Sequence, residues 1–228
     1  MRVPRSFAFI DLSGFTALTA REGDERAVGL LSTFRSIARD VCSRRGVRIA
    51  KWLGDGAMLV SVNETALLAT LLEIQHAMKT SRAALSVRCG ATNGDVLLHE
   101  GDDYIGTPVN VAARLCDLAP GGAVYVTREL SEFRPEWSAI AEISPLEVKG
   151  FDEPLDVVAI EFSVLVGEAH ACPICGIPLD PSVATTSARD AIGALVLFCS
   201  ESCHDTWVRR PRLTPEEQGS LRSPLMGS

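Results

Sequence analysis

Apolar positions along the chain follow two periods, and the switches between them mark the elements. Residues 7–10, Phe-Ala-Phe-Ile, read as a strand that ends at Asp11 before a Ser13-Gly14 turn. Val28, Leu31, Phe34, Ala38 and Val41 then recur at steps of three and four, which predicts a helix over about 24–44 that Arg45-Gly46 ends. Two short apolar segments, 47–53 and 57–62, flank Gly54-Asp55-Gly56, a hairpin signal with Asp55 at its tip. A second helix over roughly 64–79 carries Leu67, Leu68, Leu71, Ile74 and Met78 on one face. A strand over 85–92 and a partner over 95–99 follow.

Strand, helix, hairpin, helix, strand is the order of an α+β fold with a ferredoxin-like βαββαβ core, in which both helices cover one face of an antiparallel sheet. In that topology the end of the first strand lies beside the hairpin, so Asp11 and Asp55 are expected to converge. An acidic turn over 100–103 comes next, then Gly106-Thr107-Pro108 opening a helix on which Asn110 and Arg114, four apart, share a face. Pro120-Gly121-Gly122 stops that helix. A strand over 123–126, a short helix from Thr127 and strands near 145–149 and 155–162 close a first domain spanning 1–163. Residues 164–171 read as a linker, 172–208 as a small cysteine-rich module, and the Pro, Ser, Gly and charge-rich stretch 209–228 as a disordered tail.

With 228 residues, 46% of them hydrophobic and 22% charged, the chain has enough apolar material for a packed core. The net charge of −7 is spread over both parts, so neither offers the basic face that duplex nucleic acid requires. The longest apolar run, 191–199, is far short of a membrane span, and Asp11 interrupts the N-terminus before a signal-peptide core forms. A cytoplasmic protein with no membrane or nucleic-acid partner is the expectation.

Of seven cysteines, Cys42, Cys89 and Cys116 are scattered through apolar stretches as buried small hydrophobes. The other four form Cys172-x-x-Cys175 and Cys199-x-x-x-Cys203. In a reducing compartment such paired spacings point to a metal more than to disulfides.

Phe9-Ile-Asp11-Leu-Ser-Gly-Phe-Thr16, Lys51-Trp-Leu-Gly-Asp55, Asp103-Tyr-Ile-Gly-Thr-Pro-Val-Asn110-Val-Ala-Ala-Arg114 and Val148-Lys149-Gly150 together resemble the class III adenylyl/guanylyl cyclase catalytic domain over about residues 5–162. Each motif alone is common, since Gly-Asp is also an ordinary turn and Asp-x-x-Gly an ordinary strand end; four in register carry the resemblance. The residue chemistry agrees with it, because carboxylates at adjacent loop tips are suitable oxygen ligands for Mg²⁺ or Mn²⁺ beside a triphosphate.

The resemblance implies that Asp11, Asp55 and the backbone carbonyl of Leu12 hold two such ions per site, and that the 3′-hydroxyl of ATP attacks the α-phosphate with release of pyrophosphate. It implies that Arg114 stabilises transition-state charge, a contribution of ~3–4 kcal/mol for one preorganised donor. Asn110 would orient the ribose and Lys149 would contact the terminal phosphate. Lys51 and Asp103 match the family's purine-reading pair, and a lysine donor with a carboxylate acceptor complements adenine N1 and N6, which favours ATP over GTP. The family shares its sites across a head-to-tail dimer, so a homodimer with two equivalent sites is implied. Trp52 departs from the family, which usually has a smaller residue there, and would either narrow the purine pocket or alter hairpin packing.

Residues 171–207, with the two cysteine pairs, resemble a YHS-type or TRASH-type metal-binding module. The resemblance implies four thiolates around Zn²⁺ or another thiophilic ion, with His170 or His204 as substitutes for a sulfur. A redox dithiol at Cys172-x-x-Cys175 remains an alternative for the module. For the whole chain the alternatives are a non-catalytic nucleotide- or metal-sensing protein with a cyclase-like fold, and a guanylate cyclase.

Overall fold

In a computed structural model of the protein, residues 2–209 are described apart from 82, 100–102, 144, 163–169, 176, 180–183 and 191–192. The first strand, β1 (Arg2–Leu12), leads into α1 (Phe15–Glu22) and α2 (Asp24–Arg45). The hairpin β2 (Arg48–Leu53) and β3 (Gly56–Ser61) is followed by α3 (Glu64–Thr80) and the long β4 (Val87–His99). Then come β5 (Asp103–Ile105), α4 (Thr107–Leu118), β6 (Val124–Thr127), α5 (Arg128–Ser131), β7 (Ser138–Glu142) and β8 (Val157–Phe162). The cysteine-bearing end consists of β9 (His170–Ala171), β10 (Pro178–Leu179), β11 (Thr186–Arg189), β12 (Leu195–Phe198) and α6 (Glu201–Arg209).

The main sheet runs β2-β3-β1-β4-β6-β8-β7, with β5 added to the end of β4. Its first four strands are antiparallel in the ferredoxin-like order, while β6 joins β4 in parallel. Alternation along β1 sends Ala8, Ile10 and Leu12 into the core shared with Phe34, Ala38 and Val41 of α2 and Leu67, Leu68, Leu71 and Ile74 of α3. Phe7 and Phe9 project to the other face with Met58, Val60 and Val96, where Ala112 and Val109 of α4 cover them.

Gly90 of β4 makes that second layer possible. A Cβ there would collide with backbone atoms of Ala112, Leu115 and Cys116, so α4 lies directly on the strand. Gly94 does the same for Pro108, whose Cγ would lie 2.7 Å from an added Cβ.

Several expectations change. The β1 strand is longer than 7–10, and a separate α1 fills the stretch read as a turn. Val28 is 61% exposed, and Ala27 takes its place on the buried stripe of α2. Residues 85–92 and 95–99 are not two paired strands: 87–99 is one strand, because β1 pairs with it without a break from Arg2↔Leu97 to Leu12↔Val87. The partner of 97–99 is β5. Residues 145–149 make only the isolated bridge Leu146↔Leu155, and the strand beside β8 is β7. Pro145 at its start and the turn at Lys149-Gly150 give that segment little length over which to pair.

The linker read over 164–171 lies outside the described residues up to 169, as does the tail beyond Arg209 and most of the acidic turn over 100–103. Among the described residues no helix is long and apolar enough to cross a membrane. Cys42, Cys89 and Cys116 are buried, and burial pushes the thiols of Cys42 and Cys116 up to about 12.

Candidate active site and thiolate cluster

Asp11 is the next residue after Phe9 on the α4-side face of β1, and its register partner on β3 is Gly56, directly after the hairpin tip. The approach is close: a Cβ at Gly56 would lie 2.6 Å from the Ile10 carbonyl oxygen and 3.1 Å from Asp11 Oδ1. The hairpin therefore carries Asp55 to Asp11, and the two carboxylates sense each other. Burial raises the Asp55 pKa above the ordinary carboxylate range, and the Asp11 charge adds to this against its own backbone N–H and Arg88.

Arg88, which the sequence reading did not single out, is the register partner of Asp11 on β4. Its Nε and Nη2 donate to Asp11 Oδ2 at 2.9 and 2.6 Å, and its Nη1 donates to the Asp117 carbonyl at 3.1 Å. A lone arginine in the apolar stretch Val87-Arg88-Cys89 was the available signal. The donor set of two neighbouring carboxylates suits a hard cation with oxygen ligands. Leu12 closes β1 beside them with its side chain buried.

Lys51 of β2 and Asp103 of β5 meet at the surface, with Nζ donating to Oδ1 at 2.7 Å. That bond holds the Asp103 carboxyl below its usual range. Asn110 and Arg114 lie exposed on α4; Arg114 approaches Asp117 at 3.8 Å. Lys149 lies exposed in the turn between Leu146 and Leu155. Among the described residues, no hydrogen bond or ion pair joins Asn110, Arg114 or Lys149 to Asp11 or Asp55. Asp102, the neighbour that could compete with Asp103 for base reading, lies outside the described residues.

Trp52 points away from this face. Its ring packs edge-on to Phe34 with Arg35 and Arg39 at 5.1 and 5.2 Å, so it fixes the hairpin to α2. Arg35 Nη2 also donates to the Gly54 carbonyl at 2.9 Å, next to Asp55.

At the other end of α2 the sulfurs of Cys172, Cys175, Cys199 and Cys203 all lie within 4.8 Å of one another. Cys175 and Cys199 are 3.4 Å apart and Cys199 and Cys203 3.6 Å. A tetrahedron with ~2.3 Å metal–sulfur bonds has sulfur–sulfur edges of about 3.8 Å, so the cluster fits a thiophilic ion such as zinc. Hydrogen bonds donated by Cys175, Cys199 and Cys203 drive the Cys172 thiol far below its usual range. His204 faces Asp205 and the Phe198 ring and is not in the cluster; the His170 side chain lies outside the described residues.

The cysteine-bearing segments share the core of the sheet, since Ile177, Leu179, Leu197 and Phe198 belong to the same apolar cluster as α2 and α3. A cavity of about 670 Å³ lies in the seam, lined by Arg45, Trp137, Cys199 and Ser202 among others.

The description "Adenylate and Guanylate cyclase catalytic domain" matches residues 5–161. The uncharacterized protein Rv2212 of Mycobacterium tuberculosis is 38% identical over 147 residues, covering 64% of this chain and 38% of the relative. The adenylate cyclase of Streptomyces coelicolor is 33% identical over 124 residues, covering 54% of this chain and 32% of the relative. The chain thus spans less than two fifths of the length of these curated relatives. Among solved structures, the adenylyl cyclase CyaB from P. aeruginosa superposes with a TM-score of 0.65 at 23% identity, covering 72% of this chain and 96% of that one. The guanylyl cyclase Cya2 gives 0.62 at 19% identity, covering 73% and 96%. These two likenesses are of fold.

Proposed function

The chain belongs to the adenylate and guanylate cyclase catalytic domain family, and from that premise we propose that it is an adenylate cyclase, converting ATP to 3′,5′-cyclic AMP and pyrophosphate as a homodimer with two shared sites. The observation that carries the choice of base is the Lys51–Asp103 pair at 2.7 Å. It offers a cationic donor to adenine N1 and an acceptor to the N6 amino group. Guanine reverses that pattern, and a group left unpaired in the closed site costs about 1–3 kcal/mol.

Asp11 and Asp55 would hold Mg²⁺ or Mn²⁺, which supplies an activated 3′-hydroxyl and charge neutralisation at the triphosphate. Arg88 fixes the Asp11 carboxylate through Oδ2 and leaves Oδ1 on the Asp55 side. As the 3′-oxygen bonds to the α-phosphorus, its proton passes to solvent water and the bond from the α-phosphorus to the oxygen bridging to the β-phosphate breaks, releasing pyrophosphate. Arg114 would meet the charge that develops, and Asn110 the ribose. Both stand exposed on α4 and apart from the acidic pair of their own chain, which supports their use by a site completed across a dimer. Lys149 would take the terminal phosphate.

The test is cyclic nucleotide formation by the purified protein with Mn²⁺, given ATP and GTP separately, beside the Asp11→Ala variant. Cyclic AMP that disappears in the variant supports the reading. Cyclic GMP from GTP, with no cyclic AMP from ATP, moves the assignment to guanylate, and no product from folded, dimeric protein moves it to a sensing role.

A further inference from the structure

Two arginines at the C-terminal end of α2 belong to the catalytic fold by sequence but turn to the thiolate cluster. Arg45 Nη2 donates to Cys199 Sγ at 3.2 Å, and Arg44 Nη1 lies 3.9 Å from Cys203 Sγ. Both are tied to Glu73 of α3, which is 1% exposed: Arg45 Nε donates to Oε2 at 2.5 Å and Arg44 Nη2 to Oε1. Ser202, next to Cys203, donates its hydroxyl to the Arg44 carbonyl, one of the last carbonyls that α2 leaves without an intrahelical partner. Trp137 and Thr185 bind the Cys199 carbonyl at 3.3 and 2.9 Å.

The charges explain the arrangement. Four thiolates around a divalent ion carry a net charge of −2, costly in a buried setting unless cations face them. Arg44 and Arg45 face them, and Glu73 holds both forks. Among their carboxylate partners Arg45 has Glu73, and Arg44 has Glu73 together with Asp40, whose Oδ2 accepts from Arg44 Nη2 at 3.1 Å. The seam cavity reaches Cys199 and gives an ion a way in.

The same helix grips the hairpin that carries Asp55. Arg35 holds the Gly54 carbonyl, and Arg35 and Arg39 lie over Trp52. Ten residues separate Arg35 from Arg45, about 15 Å of continuous helix. Beyond Arg45 the chain turns at Gly46 (φ 68°) directly into β2.

We propose that Arg44 and Arg45, held by Glu73, are the outer hydrogen-bond partners of a tetrathiolate metal centre at Cys172, Cys175, Cys199 and Cys203, and that loading this centre braces α2 and, through it, the β2–β3 hairpin. The proposal goes beyond the cyclase reading, and its readouts involve no nucleotide.

The experiment uses the full chain with Zn²⁺ as the probe, with Arg45→Gln and Arg45→Lys beside the parent. Zinc affinity is measured by chelator competition, and amide hydrogen exchange is compared between zinc-loaded and zinc-stripped parent protein. Loss of one such partner is expected to weaken zinc binding about 10–100-fold in Arg45→Gln, with the lysine variant between it and the parent. Stripping is expected to speed exchange in 44–56 more than in β4. Absence of tight zinc, affinity unchanged in Arg45→Gln, or exchange that rises equally in β4 and the hairpin overturns the proposal. Should Arg45→Gln fail to fold, the exchange comparison on the parent decides alone.

Discussion

Glu73→Gln probes the junction between the two sites most directly. The parent carboxylate is 1% exposed and bonds two guanidiniums, of which Arg45 is only 4% exposed. The amide keeps the shape and removes the charge, leaving two cations side by side with one fewer anion. Breaking a buried pair by removing one partner costs ~3–5 kcal/mol, because the remaining charge is stranded. For a chain of this size that corresponds to a fall of about 6–20 °C in Tm. The loss should depend on zinc. In the loaded protein a centre of net charge −2 still faces Arg44 and Arg45, so the fall belongs at the low end; in the stripped protein the facing negative charge is smaller and the fall belongs at the high end. Thermal unfolding followed by two optical probes, with and without a zinc chelator, reads both values. A change under ~1 kcal/mol in both states, or the same large change in both, refutes the reasoning.

Three further outcomes follow from the geometry. Replacing Lys51 by Glu and Asp103 by Ala should move the ATP-to-GTP ratio of kcat/KM toward GTP by about 5- to 150-fold, the equivalent of ~1–3 kcal/mol for the lost pairing, read with the two substrates in competition. Asp55→Asn should stabilise the cation-free protein at neutral pH: a carboxyl whose folded pKa is raised contributes stability below the ordinary carboxylate range and loses it as pH rises, so the gain should vanish in acid, and Mn²⁺ should no longer raise Tm. Gly90→Ala should push α4 off the sheet and cost ~1–3 kcal/mol, with cyclic nucleotide formation falling because Asn110 and Arg114 ride on that helix; unchanged stability would place α4 elsewhere.

The βαββαβ order was legible because its elements are long and their apolar periods strong, as in Leu67, Leu68, Leu71, Ile74 and Met78, all buried. The meeting of Asp11 and Asp55 was legible from that order. What failed was local: Asn93-Gly94 looks like a hairpin turn, yet Gly94 is there for Pro108, a contact fourteen residues away in sequence. The residues that the sequence hid are charged ones doing structural duty in apolar settings. Glu73 stands between Leu72 and Ile74 on a buried stripe, and Arg88 stands between Val87 and Cys89. A charge in such a place has a partner, but only tertiary structure says which, and for Arg45 the partners Glu73 and Cys199 lie 28 and 154 residues off.

The placement of Asp11 shows how little the fold must add to bring two carboxylates together at a candidate cation site. Period-two alternation puts Asp11 on the face of Phe7 and Phe9, away from the α2 and α3 core, and antiparallel register sets Gly56 on one side of it and Arg88 on the other. Those neighbours divide the carboxylate. Arg88 takes Oδ2 through two hydrogen bonds, which orients the group and offsets one negative charge in a chain of net charge −7. The missing side chain at Gly56 leaves Oδ1 open toward the hairpin, where Asp55 is held partly buried and is costly to ionise alone. Asp11 and Asp55 would hold a divalent ion that would relieve that cost while Arg88 keeps Oδ2, so the guanidinium would be a partner of the ion's carboxylate and not a competitor for it.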